Sequence, residues 1–127
     1  MSDKSIGGEC SITILTTPAH SAAAFGNKGV EVVGTPALIG FLETAAAECS
    51  QHLLKPGRVT VGTEINVRHL SAAPAGAAIT ANASLRDKDG QRLGFDVEVR
   101  WGETILMKGK HERMIVELDR FLQRLTR

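Results

Sequence analysis

The chain has 127 residues and a formal net charge of +1, with 43% hydrophobic and 23% charged residues. This length predicts a single domain over residues 1–127, and the composition is typical of a folded globular protein rather than a disordered chain. A charge balance so close to neutral argues against nucleic-acid binding and against a polybasic membrane anchor.

The first ten residues lack the apolar core of a signal peptide, and no apolar stretch approaches the roughly 20 residues that span a membrane. A cytoplasmic protein is therefore expected. Cys10 and Cys49 show no metal-binding spacing, and the four histidines are spread far apart. We expect reduced, buried or inert thiols and no metal site.

The β-branched residues at 10–17 predict a first strand that stops at Pro18, because proline cannot donate a hydrogen bond to a neighbouring strand. A loop of small residues and glycines follows over residues 18–34, and Phe25 is its one large aromatic side chain. This loop is either a surface crossover or a flap that covers a pocket.

Thr35 and Pro36 predict the start of a helix, with Thr35 as its N-cap. Apolar residues recur at three- and four-residue intervals to about Leu54, after which a proline and a glycine end the helix. Glu43 interrupts this apolar stretch. It is either an ordinary exposed glutamate or a carboxylate at the edge of a pocket.

Alternating apolar and polar residues predict four antiparallel strands after this break, at 58–70, 79–85, 93–101 and 104–117, and then a short terminal helix. In the first of them His69 has the parity of Val61 and Ile65, so the imidazole is expected to point toward the helix. It is either a core histidine or a pocket-lining one. Gly62 marks either a bulge or a close approach of a ligand to the backbone.

A strand, a loop, a long apolar helix and four hairpin-linked strands predict an α+β protein, in which one antiparallel sheet wraps around one long central helix. This architecture is the hot-dog fold. A lone sheet of this size leaves its edges uncovered, so we expect a homodimer or a dimer of dimers.

A histidine and a carboxylate can share acid and base work near neutral pH. Thr35 and Glu43 are eight residues apart, which is roughly 12 Å along a helix axis, so their side chains cannot bond directly. Either His69 lies near one of them in the same chain, or a partner chain supplies the carboxylate.

Several segments occur in an order and at a spacing that resemble the fluoroacetyl-CoA thioesterase-like family of hot-dog proteins. These are GTPAL at 34–38, Glu43, VGT at 61–63, VRHL at 67–70 and GKHER at 109–113. The resemblance covers nearly the whole chain. It implies an enzyme that hydrolyses a short acyl-CoA thioester to the free acid and CoA, with coenzyme A as part of the substrate and no separate cofactor.

The resemblance also implies roles for individual residues. Thr35, Glu43 and His69 match the catalytic set of the family, with Glu43 as general base or nucleophile. Gly62 and Arg113 match residues that line the substrate site.

In the enzyme of that family that confers resistance to fluoroacetate, a phenylalanine-bearing lid recognises the fluorinated acyl group. Here the corresponding loop has Phe25 among alanines and glycines, so Phe25 is the candidate contact with the substrate. Because this loop offers only Phe25 among small residues, we expect a broader or a different short acyl group rather than fluoroacetyl alone.

Two other functions fit the same pattern. One is a non-catalytic hot-dog module that binds acyl-CoA, and the other is a hydratase acting on enoyl or hydroxyacyl thioesters. Release of a free thiol distinguishes the hydrolase from both.

Overall fold

The computed structural model describes residues 8–126. Residues 1–7 and residue 127 lie outside this part. The prediction that the chain lacks a signal peptide concerns residues 1–10 and so falls mostly outside the described residues. No helix in the described part of the chain is both long enough and apolar enough to cross a membrane.

Five strands form one antiparallel sheet in the order β1-β3-β4-β5-β2. The strands are β1 (Glu9–Leu15), β2 (Arg58–His69), β3 (Ala78–Asp89), β4 (Arg92–Trp101) and β5 (Thr104–Glu117). Helix α1 (Thr35–Ser50) continues as a 3-10 turn (Gln51–Leu53), and α2 (Leu118–Gln123) follows the last strand. The predicted sheet with one long helix is confirmed.

The core lies between α1 and the sheet. Leu38 and Leu42 of the helix are completely buried, and burying each such side chain contributes about 1.5–3 kcal/mol. The helix lies mainly against β3, where the inward residues Ala81 and Ala83 are small and fully buried. Small side chains there let the helix approach the sheet closely.

The loop between β1 and α1 is an ordered crossover. It contains two 3-10 helices, Pro18–His20 and Ala22–Phe25. Ser21 pairs with Val33, the residue two positions before α1, in an isolated β-bridge. This bridge ties the loop to the start of the helix.

Strand β2 lies at one edge of the sheet and carries a bulge between Gly62 and Glu64. On one side of the bulge Gly62 is opposite Arg113, and on the other Ile65 is opposite His111. Arg113 and His111 are both buried, and directly opposed residues of antiparallel strands share a face. Gly62 and Ile65 therefore both point toward α1.

The bulge corrects the predicted alternation in β2. The expectation that Val61 shares a face with Ile65 and His69 is wrong, because the extra residue in the bulge reverses the parity of the strand. Val61 is opposite Met114, on the outer side of the sheet. The interpretation of Gly62 as part of a bulge is confirmed.

Gly109 of β5 lies very close to the backbone of β2. A Cβ at this position would overlap the carbonyl oxygen of Asn66 and lie 2.7 Å from Val67 Cα. We expect Gly109→Ala to lower the free energy of unfolding by about 3 kcal/mol, because neither backbone atom can move without disturbing the pairing of β2 with β5.

Urea denaturation measures this change, and Gly40→Ala on the exposed side of α1 is the control. A Cβ at Gly40 would meet no atom within 4 Å, and alanine in a helix is more favourable than glycine by about 1 kcal/mol. Wild-type stability in Gly109→Ala would contradict the register of these two strands.

Candidate active site

Thr35 is the first residue of α1, and Gly34 occupies the N-cap position without any side-chain cap. The prediction that Thr35 caps the helix is therefore wrong by one residue. Because its hydroxyl is not used as a cap, it is free for another partner. Thr35 Oγ1 lies 2.7 Å from His69 Nδ1, and this bond joins the start of α1 to the end of β2.

His69 lies on the predicted face of β2, next to the helix, but it is exposed within the single chain. This exposure excludes the alternative of a core histidine. Thr35, which is also exposed, engages Nδ1. Nε2 is thus the ring nitrogen that remains to act on a ligand.

Glu43 lies on α1 two turns beyond Thr35 and reaches β2 at Gly62. A Cβ on Gly62 would overlap Glu43 Oε2, so the lack of a side chain at position 62 makes room for the carboxylate. The Glu43 side chain is 43% exposed. The carboxylate therefore lies against the sheet on one side and meets solvent on the other.

Arg113 is a buried cation beneath Glu43. Its Nη1 lies 3.6 Å from Glu43 Oε2, and its side chain is only 8% exposed. Its Nε donates to Thr60 Oγ1 at 2.9 Å, and Nη2 donates to the Thr60 carbonyl at 3.0 Å. Burial lowers the pKa of the Arg113 guanidinium, and the Glu43 charge opposes that effect. Arginine nevertheless keeps its charge in proteins.

His111 is part of this cluster, although no role was predicted for it. Its side chain is buried, with Nε2 3.2 Å from Arg113 Nη1 and Nδ1 2.8 Å from the Glu64 carbonyl oxygen. Burial, followed by the charge of Arg113, lowers the pKa of His111 below 6.5 despite the bond to Glu64. The sequence signal is the alternation of β5, which places His111 and Arg113 on the same face.

The site residues thus form two groups along β2. Thr35 and His69 are at one end, whereas Glu43 and Arg113 meet at Gly62. Gly62 and His69 are seven residues apart, which corresponds to roughly 20 Å of strand. Within one chain, Glu43 and His69 are therefore too far apart to act on the same bond of a substrate.

Phe25 ends the second 3-10 helix of the loop and is 49% exposed. Its Cδ2 lies 3.1 Å from the place where a Cβ of Gly34 would be. The ring therefore lies against the residue that precedes Thr35. The loop therefore packs beside the start of α1, where Thr35 lies.

Cys10 and Cys49 lie outside both groups and are not joined by a disulfide. Burial and the neighbouring Cys10 side chain raise the pKa of the Cys49 thiol to about 12, so Cys49 remains a protonated thiol at neutral pH. Across residues 8–126, no group of three or more His, Cys, Asp and Glu side chains is arranged to hold a metal ion.

Residues 16–119 match the family described as fluoroacetyl-CoA-specific thioesterase. The chain belongs to this family. It is 35% identical over 91 residues to the fluoroacetyl-CoA thioesterase of Streptantibioticus cattleyicolor. That alignment covers 72% of this chain and 66% of the relative. The predicted family is confirmed, and acyl-CoA thioester hydrolysis is the activity that membership supports.

Solved structures agree with this assignment. A variant of the fluoroacetyl-CoA thioesterase FlK with fluoroacetate has a TM-score of 0.89 and 26% identity, covering 94% of this chain and 95% of that one. A second FlK variant, with fluoroacetate and CoA, has a TM-score of 0.86 and 28% identity over 91% and 98% of the two chains. A hot-dog-like protein from Thermanaerovibrio acidaminovorans has a TM-score of 0.86, 20% identity and coverage of 98% and 95%. It shares the fold.

The lowered pKa of His111 predicts that the stability of the protein depends on pH. Because its pKa is lower in the folded chain than the ordinary 6.5, the unfolded chain binds a proton between these two values that the folded chain does not. The free energy of unfolding is therefore expected to fall as the pH drops below about 6.5, by at most about 1.4 kcal/mol per pH unit.

Urea denaturation at about pH 7.5 and about pH 5.5 measures this fall, and His111→Gln should show a smaller one. Asp96 acts in another window. Lys110 holds the pKa of Asp96 below 3.8, so its contribution is lost only at more acidic pH. Equal falls in wild type and His111→Gln would contradict the assignment to His111.

Proposed function

We propose that the protein hydrolyses the thioester of a short acyl-CoA to the free acid and CoA. The observation that carries the proposal is a carboxylate that is held in place and still meets water. Glu43 lies 3.6 Å from the buried Arg113 while 43% of its side chain is exposed. Hydrolysis needs such a group, because water must reach the base and the base must be held near the carbonyl carbon.

The chemistry of the leaving group indicates which step needs most help. A thiol has a pKa of about 8.5, so a thiolate leaves readily. The harder step is then the attack on the carbonyl carbon. Glu43 either takes a proton from the attacking water, or attacks as a carboxylate and forms an anhydride that water then opens. In both routes the water oxygen ends in the acid and a proton reaches the sulfur.

His69 is the group that delivers this proton. The bond of 2.7 Å from Thr35 Oγ1 to Nδ1 fixes the orientation of the ring and leaves Nε2 for the substrate. Phe25, which lies against Gly34, borders the acyl group beside this pair. Arg113 acts by holding Glu43 from below, since its guanidinium is buried.

The proposal includes a homodimer, because the Thr35–His69 pair and the Glu43–Arg113 pair are far apart in one chain. Strand β2 stands at the end of the sheet order, and an edge strand offers its free backbone groups to another strand. Antiparallel pairing of two β2 strands about a two-fold axis between Ile65 and Asn66 places Gly62 opposite His69 of the partner subunit. Glu43 of one chain then reaches the substrate that the partner's His69 contacts.

A cytoplasmic location and the further pairing of two dimers stay predictions from the sequence. The acyl group belongs to the proposal as well. In the loop over residues 18–34, Phe25 is the one aromatic ring beside the start of α1. We therefore propose a short acyl group and do not restrict the substrate to fluoroacetyl-CoA.

A panel of short acyl-CoAs, including acetyl-CoA and fluoroacetyl-CoA, assayed for thiol release tests the activity. We expect turnover of at least one of them. The kcat of Glu43→Gln and of His69→Ala should fall roughly 100-fold or more, because each loses an acid or base group. Glu48→Gln, at an exposed position of the same helix, is the matched control and should keep the wild-type rate.

Circular dichroism confirms that the variants are folded. Saturable binding without thiol release would favour the acyl-CoA-binding module. Water addition to a crotonyl-type thioester without free thiol would identify a hydratase. Wild-type rates in both variants would remove Glu43 and His69 from the mechanism.

A further inference from the structure

We infer that His111 is a positioning residue for Glu43: as a neutral imidazole with its proton on Nδ1, it ties Arg113 to the backbone of β2 and so fixes the carboxylate. This inference rests on the proposed hydrolysis. His111 acts through its neighbours and does not touch the substrate, because the residue is only 2% exposed.

The tautomer of His111 follows from its two partners. A guanidinium N–H can only donate, so the 3.2 Å contact from Arg113 Nη1 requires a lone pair on His111 Nε2. A backbone carbonyl can only accept, so the 2.8 Å contact with Glu64 O requires the hydrogen on Nδ1. One neutral tautomer satisfies both contacts, whereas an imidazolium would turn an N–H toward the guanidinium.

His111 matters for Glu43 because of the geometry at Arg113 Nη1. The separation of 3.6 Å between Nη1 and Glu43 Oε2 is too long for a hydrogen bond, so this ion pair alone imposes little direction. Thr60 fixes the Nε and Nη2 sides of the guanidinium. His111 accepts from Nη1 itself, and it therefore sets where the positive charge faces the carboxylate.

Three strands and the helix supply the groups around His111. They are Arg113 and Glu112 of β5, Glu43 of α1, the Glu64 carbonyl of β2 and the ring of Phe95 of β4, which stacks at 6.1 Å between centroids. Protonation of His111 removes the acceptor for Nη1 and places a second positive charge beside it. Arg113 is then pushed from its place, and Glu43 loses its support as the pH falls.

His111→Phe and His111→Gln form the pair of variants that tests this role. Phenylalanine keeps a ring next to Phe95 without polar atoms, whereas glutamine keeps an oxygen that can accept from Arg113. We expect the kcat of His111→Phe to fall roughly tenfold with KM nearly unchanged, because Glu43 acts in the transition state. His111→Gln should recover most of that loss. Lower melting temperatures with wild-type kcat in both variants would overturn the inference.

A double variant shows whether the effect runs through Glu43. In the Glu43→Gln background, His111→Phe should leave the residual kcat unchanged, because the group that it positions has already been removed. A further fall of roughly tenfold would mean that His111 acts independently of Glu43, and would overturn the inference.

Nitrogen-15 NMR of the histidine rings tests the tautomer without turnover. At pH 7 we expect the His111 proton on Nδ1, and a proton on Nε2 would overturn the inference even in an active enzyme. Failure of the proposed function appears differently, as wild-type protein that releases no thiol from any acyl-CoA. In that case the NMR measurement alone tests whether the His111 proton is on Nδ1.

Discussion

The charged guanidinium of Arg113 is buried between the sheet and the central helix. The Glu43 end of the site is arranged so that the positive charge of Arg113 has an opposite charge beside it. A charge that is buried without an opposite charge nearby destabilises the folded state. Thr60 and His111 accept hydrogen bonds from Nε, Nη1 and Nη2 of Arg113, while Glu43 supplies the opposite charge. The carboxylate must therefore come down onto β2, and Gly62 is the position that lets it do so. The bulge beside Gly62 turns this residue inward.

The same arrangement reconciles two requirements that usually conflict. A catalytic carboxylate must be held rigidly, and it must also meet water. The Arg113 guanidinium, which is 8% exposed, supplies the rigid support, and the proposed catalytic group is the Glu43 carboxylate, which is 43% exposed. Because the Thr35–His69 pair lies at the other end of β2, the edge strand separates the proposed acid, His69, from the proposed base, Glu43, within one chain. In the proposed homodimer, joining two edge strands brings the two groups together, so assembly and activity are expected to depend on the same strand.

The sequence predicted the elements whose residues are buried on one face. The last strand was predicted at 104–117, the bounds that the structure has, because its alternation is regular. In β2 the same reasoning failed for Val61, since a bulge adds a residue and leaves Gly62 as its only sign. The start of α1 was missed by one residue, because threonine followed by proline suits both the cap and the first turn.

The contacts of the site were harder to predict than its residues. Thr35, Glu43 and His69 were singled out, but their partners depend on register. The one-residue shift at the helix start decides whether the Thr35 hydroxyl caps the helix or meets His69. Arg113 and Glu43 are distant in sequence, and only the pairing of β5 with β2 places the guanidinium below the carboxylate.

In the proposed homodimer, one hydrolytic site takes Glu43 from one chain and His69 from the other. Refolding Glu43→Gln and His69→Ala together checks this arrangement, because a mixed dimer then contains one site in which both residues are intact. We expect an equimolar mixture to recover about a quarter of the wild-type rate, since half of the dimers are mixed and each has one of two sites restored. A rate no higher than that of the separate variants, with mixed dimers demonstrated by mass spectrometry, would contradict it.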